Sequence, residues 1–482
     1  MHLFPEKYRG CEMPTNYKHE TVVDADIEST FDWFEHEGSF RRLMPPWEVA
    51  EEVRADDSLE IGSQRVFRFP APGAPFFKMT WVAEHTGYEK PADNKAYFAD
   101  KMVKGPFWKW NHDHFLTEID GVTTVVDDVT YSVPFGPLGM LVDKVLGGSL
   151  VTGRISSMFK AREYRLKRDM DNHNKFQDRD RKKILISGSS GLIGTQLVAF
   201  LDTGNHDVWR LVRRESDPNK KEISWYPSEG KISPSEIEGF DIVIHLGGVG
   251  IGDKRWSKKR KAAIRDSRVD STTLLSDTLA NLENKPDLFM VASAIGYYGN
   301  RGDDIVDENT SIGDDYLTDI CGKWENSADS ARKAGIRTIH ARTGIVISAV
   351  GGALGKMLLP AKMGGGGPIG GGKQWMSWIS MDDQIYSMYH LMMSEESEGA
   401  YNLTAPNPVR QKAFAKTLGK VLRRPAFAPL PGFMMKIMFG EMGVKLTLDS
   451  QRVIPKRLQE TGYEFTHENL EPALEDSLGK WR

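Results

Sequence analysis

Residues 182–214 read KKILISGSSGLIGTQLVAFLDTGNHDVWRLVRR, and their pattern predicts the fold of the C-terminal part of the chain. Lys183–Ser187 predicts a short apolar strand, TQLVAFLDT predicts a helix that ends in glycine, and HDVWRLV predicts a second strand. Gly188, Gly191 and Gly194 stand between the first strand and the helix. This order of strand, glycine turn, helix and strand is the one that binds a dinucleotide pyrophosphate at a helix start.

The three glycines have separate tasks in such a turn. Gly188 allows the tight turn, Gly191 lets the backbone approach the pyrophosphate, and Gly194 lets the helix pack closely on the strand. The free N–H groups at the helix start then face the phosphates. The predicted cofactor contacts are Gly188, Ser189, Ser190, Gly191, Leu192, Ile193, Gly194, Arg213, Arg214, Leu246, Gly247, Ser293 and Cys321.

Two arginines, Arg213 and Arg214, follow the second predicted strand. An acidic residue there would accept a hydrogen bond from the ribose 2′-hydroxyl of NAD, whereas a guanidinium pairs with the 2′-phosphate of NADP. The alternative is that both are solvated surface arginines. We interpret the pair as a preference for NADP(H) over NAD(H).

Further apolar strands recur at Phe240–Leu246, Leu288–Ser293 and Ile336–Thr343, with helical segments between them, notably Lys258–Leu282. Alternating strands and helices predict parallel strands that are joined by right-handed crossovers. The predicted fold class of this part is therefore α/β, a Rossmann-type doubly wound parallel sheet.

Bulk properties exclude several function classes. The 482 residues carry a formal net charge of −4, which argues against a nucleic-acid-coating surface. The two cysteines, Cys11 and Cys321, fit neither a disulfide framework nor a metal-ligand spacing. The N-terminus shows no signal-peptide pattern, and no apolar run reaches the ~18 residues of a membrane span. We therefore expect a cytoplasmic protein with a small-molecule substrate and no nucleic-acid partner.

A charged stretch at residues 165–183, RLKRDMDNHNKFQDRDRKK, has few apolar side chains with which to build a core. It is either the solvated end of a helix or a linker, and it marks the best domain boundary. We predict one domain over residues 1–168, a charged linker over 169–182 and the NADP(H)-binding domain over 183–482.

The first domain predicts a strand, a short helix, an antiparallel meander and a long helix. The meander strands include QRVFRF, KMTWVAEH, KAYFAD, HDHFLTEI and TTVVDDVTYSV, and an apolar helical run extends from Leu138 to Tyr164. This order, with the segments KGPFWKWNHDHF and DDVTYSVPFGPLG, resembles the START-like or polyketide-cyclase-like (SRPBCC) superfamily. The resemblance implies an α+β helix-grip domain with a cavity for an apolar small molecule or lipid. The aromatic side chains are for the most part explained as core: Phe76, Phe77, Trp81, Phe98, Trp108 and Trp110.

Two histidines, His112 and His114, lie two residues apart on one predicted strand and so share a face. Strands present imidazoles to zinc in this way, but no third ligand is evident, although His85 is a candidate. We interpret the pair as surface or hydrogen-bonded histidines and predict no metal site.

The second domain resembles a known superfamily more specifically. The segments GSSGLIG, DIVIHLGG and VASAIGYYG are similar to the extended short-chain dehydrogenase/reductases. An atypical, epimerase-like branch is matched by DKRWSKKRKAAIRDSRVDSTTLL, SAIGYYG, CGKWE, RTGIVIS, GGGKQWMSWIS and GVKLTLDSQRVIPKRLQETGYEF. The resemblance implies an NAD(P)-binding Rossmann domain with a helical substrate subdomain at about residues 401–482. Members are often called sugar-nucleotide epimerases, a name that rests on fold analogy.

The usual chemistry of that superfamily uses a Ser or Thr, a Tyr, a Lys four residues later and an upstream Asn. Ser293 stands where the serine belongs, but Leu317, Cys321 and Arg268 occupy the tyrosine, lysine and asparagine positions. The atypical branch resembles this chain in having Cys for Lys and Arg for Asn. Leucine cannot transfer a proton, and Cys321 is expected to stay a neutral thiol. Ser293, Tyr297 and Arg268 are the candidate catalytic residues.

Other groups have to supply an acid or a base. Tyr297 and Tyr298 follow the serine strand, and Tyr316 adjoins the lost tyrosine position, but all three are equally well explained as pocket lining or core. The cluster Gly364–Gly372 resembles a substrate-side loop or is a plain surface loop. Ser380 replaces a histidine of the related pattern, which puts a catalytic role there in doubt.

These features predict an NADP(H)-dependent oxidoreductase that acts on a carbonyl or hydroxyl of a small molecule. Two alternatives stay open. A nucleotide-sugar epimerase needs an acid or base at the sugar 4-hydroxyl, which the missing Tyr and Lys disfavour. A non-catalytic NADP(H) sensor or scaffold is favoured by the incomplete set of catalytic residues.

Overall fold

The computed structural model describes residues 14–56, 58–71, 74–133, 151–217 and 219–481. The chain forms two compact units, one of Met1–Gln177 with Asp202–Gly204 and the other of Asp178–Leu201 with Asn205–Arg482. Cys11 and the first part of the helix that was predicted from Leu138 lie outside the described residues. Within the described ranges, no helix is both long enough and apolar enough to cross a bilayer.

The first unit is an antiparallel sheet with helices. Its strands are β1 (Thr15–Val23), β2 (Glu51–Ala55), β3 (Gln64–Ala71), β4 (Ala74–Ala92), β5 (Lys95–Lys104), β6 (Lys109–Ile119) and β7 (Val122–Ser132), and its described helices are α1 (Ile27–Glu35), α2 (Glu37–Leu43) and α3 (Thr152–Asn174). The strand order is β1-β7-β6-β5-β4-β3-β2. Helix α3 packs against β1 and α2. The meander and the long helix therefore follow the predicted order.

Strand alternation sets the inner face of this sheet. On β6 the side chains of Trp110, His112, His114 and Leu116 are buried, while the residues between them are more exposed. The prediction that Phe76 and Phe77 are core is wrong, since they are 96% and 74% exposed. Both stand beside the hairpin tip at which Ala71 of β3 pairs with Ala74 of β4.

The predicted linker is partly helical. Residues 169–174 belong to α3, which ends only at Asn174. Asp169 and Arg42 are fully buried side chains, and the Nε atom of Arg42 donates to Asp169 at 2.8 Å. Leu166 and Met170 are buried as well. The many charged residues of this stretch predicted a linker, but part of their charge is paired inside the core.

The second unit is built on eight sheet strands: β8 (Lys183–Ser187), β9 (Asp207–Val212), β10 (Glu222–Tyr226), β11 (Lys231–Ile232), β12 (Ile242–His245), β13 (Leu288–Ala294), β15 (Arg337–Thr343) and β19 (Gly399–Leu403). Their order is β11-β10-β9-β8-β12-β13-β15-β19. Every neighbouring pair is parallel except β10 and β11. The predicted doubly wound parallel sheet is confirmed, and the strand order reverses between β8 and β12.

Helices cover both faces of this sheet because its central strands are apolar on both sides. The helices are α4 (Leu192–Thr203), α5 (Lys258–Ala280), α6 (Tyr316–Asn326), α7 (Asp329–Lys333), α8 (Gly352–Lys362) and α9 (Met381–Met393). Leu275 of α5 and Trp324 of α6 share a core with Leu185 of β8. On α4, Phe200 contacts Tyr386 of α9 at a ring-centre distance of 5.2 Å.

Smaller elements complete the second unit. They are the short strands β14 (Ile305–Val306), β16 (Ile345–Ile347), β17 (Trp375–Met376), β18 (Trp378–Ser380), β20 (Val409–Arg410) and β21 (Arg452–Val453), and the helices α10 (Gln411–Leu422), α11 (Gly432–Thr447), α12 (Lys456–Glu460) and α13 (Leu470–Leu478). Residue 401, the predicted start of a helical subdomain, lies inside the sheet strand β19. The helical part therefore begins later, at α10.

Candidate functional site

The turn after β8 lies at the reversal point of the sheet. Gly188 has a φ of 75°, a conformation that residues with side chains rarely adopt. A Cβ atom there would lie 2.8 Å from the carbonyl carbon of Leu246 and 2.9 Å from the amide nitrogen of Gly247, just beyond β12. Three predicted cofactor contacts therefore meet in the crevice where doubly wound sheets bind ligands.

The start of α4 forms the rest of this crevice. A Cβ atom on Gly194 would collide with the carbonyl oxygen of Gly188 and lie 2.8 Å from the Cα atom of Ser189. At Gly191 it would meet only the Gly188 oxygen, at 3.2 Å, and both Ser190 and Gly191 are exposed. Because the first N–H groups of a helix lack intrahelical acceptors, this turn fits an anionic pyrophosphate.

The two arginines after β9 differ in their surroundings. Arg214 donates to both carboxylate oxygens of Glu222, each at 2.8 Å. The neighbouring Arg213 is exposed, and within the described ranges no ion pair involves it. Arg214 is already paired with Glu222. We therefore keep the prediction of a contact with the 2′-phosphate for Arg213 only.

A buried histidine, His245, is the last residue of β12 and lies next to the crevice. The Nδ1 atom of His245 contacts the Ser187 hydroxyl, and its Nε2 atom lies 2.9 Å from the hydroxyl of Ser271. Burial lowers the pKa of His245 to about 3, so the ring is neutral. The sequence analysis missed this residue, although a histidine inside the apolar run FDIVIHL was a usable signal.

Arg268 on α5 fastens the segment that follows β12. Its Nη1 atom donates to the carbonyl oxygens of Val249, at 2.9 Å, and Ile264, at 3.0 Å. The guanidinium also lies 4.9 Å from the ring centre of Trp324. These contacts describe a positioning group, and a catalytic role for Arg268 stays a prediction.

Ser293 is part of a buried ionic network at the carboxyl end of β13. Its hydroxyl donates to Glu325 of α6 at 2.7 Å. Arg342 of β15 donates to the two Glu325 oxygens from Nε and Nη2, each at 2.8 Å. Burial alone would lower the pKa of Arg342, but the hydrogen bonds to Glu325 raise it. In this arrangement the Ser293 hydroxyl hydrogen is directed at a carboxylate, and the catalytic role predicted for Ser293 stays a prediction.

The tyrosine pair after β13 divides into a buried and an accessible member. The Tyr298 hydroxyl donates to Asn402 at 2.7 Å and accepts from Arg342 at 2.9 Å, and burial raises its pKa to about 12. Tyr297 is half-buried, and its ring centre lies 3.5 Å from the Arg342 guanidinium carbon. Of the two tyrosines, Tyr297 is the one that is only half-buried.

The positions of the missing tyrosine and lysine lie on α6, beside this turn. A Cβ atom on Gly296 would be 3.6 Å from Cys321 Sγ and 3.8 Å from Leu317 Cβ. Burial raises the pKa of Cys321 to about 12, so its thiol is neutral at physiological pH. The Tyr316 hydroxyl donates to the Lys261 carbonyl at 2.9 Å and is not directed at the turn.

The glycine cluster at 364–372 is packed against protein. A Cβ atom on Gly372 would lie 2.9 Å from the Lys412 amide nitrogen, and one on Gly367 would collide with the backbone of Ala428. Ser380 caps α9, accepting from the Asp383 amide at 3.0 Å. These glycines are thus explained at least partly by close backbone packing, and Ser380 by helix capping.

The chain matches two family models. Residues 184–404 match the NAD dependent epimerase/dehydratase family, and residues 430–477 match a domain of unknown function, DUF1731. Among solved structures, a nucleoside-diphosphate sugar epimerase from Corynebacterium glutamicum is 28% identical, with a TM-score of 0.75, covering 96% of this chain and 90% of that one. Human epimerase family protein SDR39U1 with NADPH is 31% identical, with a TM-score of 0.55, over 61% of this chain and 98% of that one.

Curated relatives agree with these matches. Epimerase family protein Mb2239 of Mycobacterium bovis is 38% identical over 291 residues, which are 60% of this chain and 96% of that protein. The chloroplastic SDR39U1 homolog of Arabidopsis thaliana is 35% identical over 305 residues, covering 62% of this chain and 87% of the homolog. With the parallel sheet and the glycine turn at its reversal point, these matches identify the chain as a member of the NAD(P)-binding epimerase/dehydratase family.

Proposed function

We propose that this protein is an NADP(H)-dependent oxidoreductase that acts on a carbonyl or hydroxyl of a small molecule. The observation that carries the proposal is the open glycine turn at the sheet reversal point, with the exposed Arg213 at the end of the adjacent strand β9. Backbone N–H groups of residues 189–193, apart from that of Gly191, which donates to the Gly188 carbonyl at 3.0 Å, would hold the pyrophosphate, and Arg213 would hold the 2′-phosphate. The human relative with NADPH supports this choice of dinucleotide.

The bound nicotinamide would supply or accept a hydride, and the protein would supply the proton and the substrate position. Tyr297 is our candidate proton donor, because Ser293 and Tyr298 are committed to Glu325 and Asn402. The Arg342 guanidinium lies over the Tyr297 ring and holds the ring in place. Ser293 then acts as a positioning residue for the Glu325–Arg342 pair.

The substrate that we propose has an apolar part. Helix α11 exposes several large apolar side chains, among them Phe433 at 66% and Ile437 at 68%. The element kinks at Gly440, and in its second segment Lys445 donates to Asp315, the N-cap of α6, at 2.8 Å. The second segment is thus held beside the helix that carries Leu317 and Cys321, and we propose that the first segment forms an apolar wall of the substrate cleft.

For the first unit we propose the START-like helix-grip fold and an apolar ligand. The support is the order of its described elements: a strand, two short helices, a six-stranded meander and the long helix α3. Aromatic rings line the inner face, with Trp81 and Trp110 at a centre distance of 5.3 Å and Trp110 and Phe107 at 5.1 Å. Mass spectrometry of organic extracts of the purified protein tests this proposal; extracts that contain no apolar compound would count against it.

A second candidate function is a non-catalytic NADP(H) sensor. Leu317 and Cys321 leave no proton-transfer group at two positions that the superfamily uses, and the Ser293 hydroxyl is engaged by Glu325. In this case the protein binds NADPH without turnover.

Two measurements on the full chain separate these functions. Fluorescence titration should show tighter binding of NADPH than of NADH, and equal affinities would overturn the NADP assignment. NADPH consumption should then be followed spectroscopically against a panel of aldehydes and ketones with apolar substituents. Turnover that is lost in Tyr297→Phe supports the oxidoreductase, whereas tight NADPH binding without turnover across the panel favours the sensor.

A further inference from the structure

Four ionisable side chains meet on the inner face of the first unit's sheet. The strand register places Asp100 of β5 opposite His112 of β6, and Asp127 of β7 opposite His114. His112 and His114 share this face because they are two residues apart on one strand. Their ring centres lie 3.8 Å apart. The cluster therefore comes from three adjacent strands, which hold it in fixed register.

The two carboxylates contact the histidines in different ways. On one side, Asp127 lies 3.0 Å from His112 Nε2 and 2.8 Å from His114 Nδ1, which are hydrogen-bond separations. On the other side, Asp100 Oδ2 lies 3.5 Å from His112 Nδ1 and 3.9 Å from His114 Nε2. The ligand atoms of Asp100, His112 and His114 all fall within 4.8 Å of one another.

The longer separations suit a shared ion. Two ligand atoms that each lie ~2.1 Å from one tetrahedral ion are themselves about 3.4 Å apart. Direct hydrogen bonds would instead bring the nitrogen and oxygen atoms to ~2.9 Å. The Asp127 side shows the hydrogen-bond range, and the Asp100 side shows the range expected for neighbouring ligands of one ion.

Burial adds a second observation. His112 is 3% and His114 5% exposed. The Phe98 ring stacks on His114 at 4.0 Å, and Phe159 of α3 meets His112 at 5.4 Å. The Asp100 side chain keeps 18% exposure, so an ion has a route to the cluster from that side.

We propose that this cluster binds one divalent transition-metal ion, with Asp100, His112 Nδ1 and His114 Nε2 as its protein ligands. Asp127 then orients the His112 imidazole from the far side through its hydrogen bond to Nε2, as outer carboxylates do in histidine metal sites. Two imidazoles and a carboxylate favour ions such as Zn²⁺ or Fe²⁺ over Mg²⁺ or Ca²⁺, which prefer all-oxygen ligands. The dication would then face the two carboxylates together with the buried Arg162 guanidinium of α3.

The sequence analysis predicted no metal here because it found no third ligand. That ligand is Asp100, which stands on the preceding strand and is brought opposite His112 only by the sheet register. The competing arrangement holds no ion: the two histidines contact only the two aspartates, with the Arg162 guanidinium of α3 near both carboxylates. The experiment must separate an ion from this arrangement.

The test uses the full chain, dialysed against a chelator and then titrated with Co²⁺ alone. We expect one Co²⁺ per chain with the visible absorption of a low-symmetry site, and displacement of Co²⁺ by Zn²⁺, which binds such ligands more tightly. Asp100→Asn should abolish this binding. Asp127→Asn should weaken it by about 10- to 100-fold, as loss of an outer-shell partner does.

Asp113→Asn is the matched control. Asp113 lies between the two histidines on β6 but on the other face, where its carboxylate accepts from Tyr97 at 2.6 Å. This variant should bind Co²⁺ like the wild type. Circular dichroism checks that each variant is folded, and the stoichiometry and spectrum of the wild type decide the question if Asp100→Asn does not fold. A wild-type chain that binds no stoichiometric Co²⁺ or Zn²⁺, or a folded Asp100→Asn variant that binds equally well, overturns the proposal.

Discussion

At the scale of single residues, polar groups around the cofactor crevice are engaged by protein partners. Ser293 donates to Glu325, Arg214 to Glu222, and Ser380 to Asp383. Such groups hold the shape of a site, because breaking a buried charge-assisted hydrogen bond leaves a costly unpaired partner. Arg213, which is exposed, and Tyr297, which is half-buried, remain as our candidates for ligand contact.

Arg213 gives the sharpest prediction at this scale. Arg213→Ala should weaken NADPH binding by about 10- to 100-fold, because a charge-assisted phosphate hydrogen bond contributes ~1.5–3 kcal/mol. NADH affinity should stay unchanged, since NADH lacks the 2′-phosphate. Fluorescence titration of both dinucleotides measures the effect, with Lys220→Ala, another exposed cation nearby, as the control. A larger effect from Arg214→Ala would show that the pair with Glu222 opens for the cofactor.

At the scale of elements, two helix–strand junctions carry the site. The turn from β8 into α4 provides the glycine crevice, and α6 is joined to β13 and β15 by Glu325. The junction between β8 and α4 requires a small residue at Gly194, because its backbone lies against the backbone of Gly188 and Ser189. The second requires charge, because a buried guanidinium needs a carboxylate partner.

The two glycines near the start of α4 should respond differently to substitution. Gly194→Ala places a methyl group against the Gly188 carbonyl, so we expect both a lower melting temperature of the apo protein and a loss of NADPH binding. Gly191→Ala meets only one backbone atom, at 3.2 Å, so the apo protein should melt near the wild-type temperature while NADPH binding weakens. Thermal melts with and without NADPH measure both effects. Equal destabilisation of the apo protein by the two variants would contradict this division of tasks.

The buried Glu325–Arg342 pair allows a matched comparison on one helix. Glu325→Gln leaves the Arg342 guanidinium buried without its counter-charge and should destabilise the protein by about 3–5 kcal/mol. Asp319→Asn on the same helix breaks an exposed pair with Lys323 and should cost at most about 1 kcal/mol. Urea unfolding monitored by tryptophan fluorescence compares the two variants. Similar losses in the free energy of unfolding from both variants would show that the buried pair stabilises the protein no more than the exposed pair does.

At the scale of the whole molecule, the features that could be predicted are those written in local sequence. The apolar strand before Gly188 and the alternation of strands and helices were sufficient for the doubly wound sheet, because buried parallel strands are apolar throughout. The glycine spacing likewise predicted the tight turn at Gly188, which lies against Leu246 and Gly247.

Features that depend on distant partners could not be predicted. Ser293 and Glu325 are 32 residues apart, and the spacing of neither residue indicates their hydrogen bond. Asp100 meets His112 only through the register of β5 and β6. The charge of Asp169 suggested a linker, because its buried partner Arg42 lies 127 residues earlier. Local patterns therefore gave the architecture, and tertiary pairing determined which polar side chains remain accessible.

The division into two units leads to a prediction for the separated parts. Residues 178–482 should bind NADPH like the full chain, because Gly188–Gly194, Arg213 and the Leu246–Gly247 edge all lie within them. Asp202–Gly204, which group with the first unit, stand at the other end of α4 from the glycine turn. Residues 1–177 should retain the Co²⁺ site in turn, since Asp100, His112 and His114 all lie in that unit. Circular dichroism establishes whether each fragment folds, and titration with NADPH or Co²⁺ measures its binding. A folded 178–482 fragment that does not bind NADPH would show that the first unit completes the cofactor site.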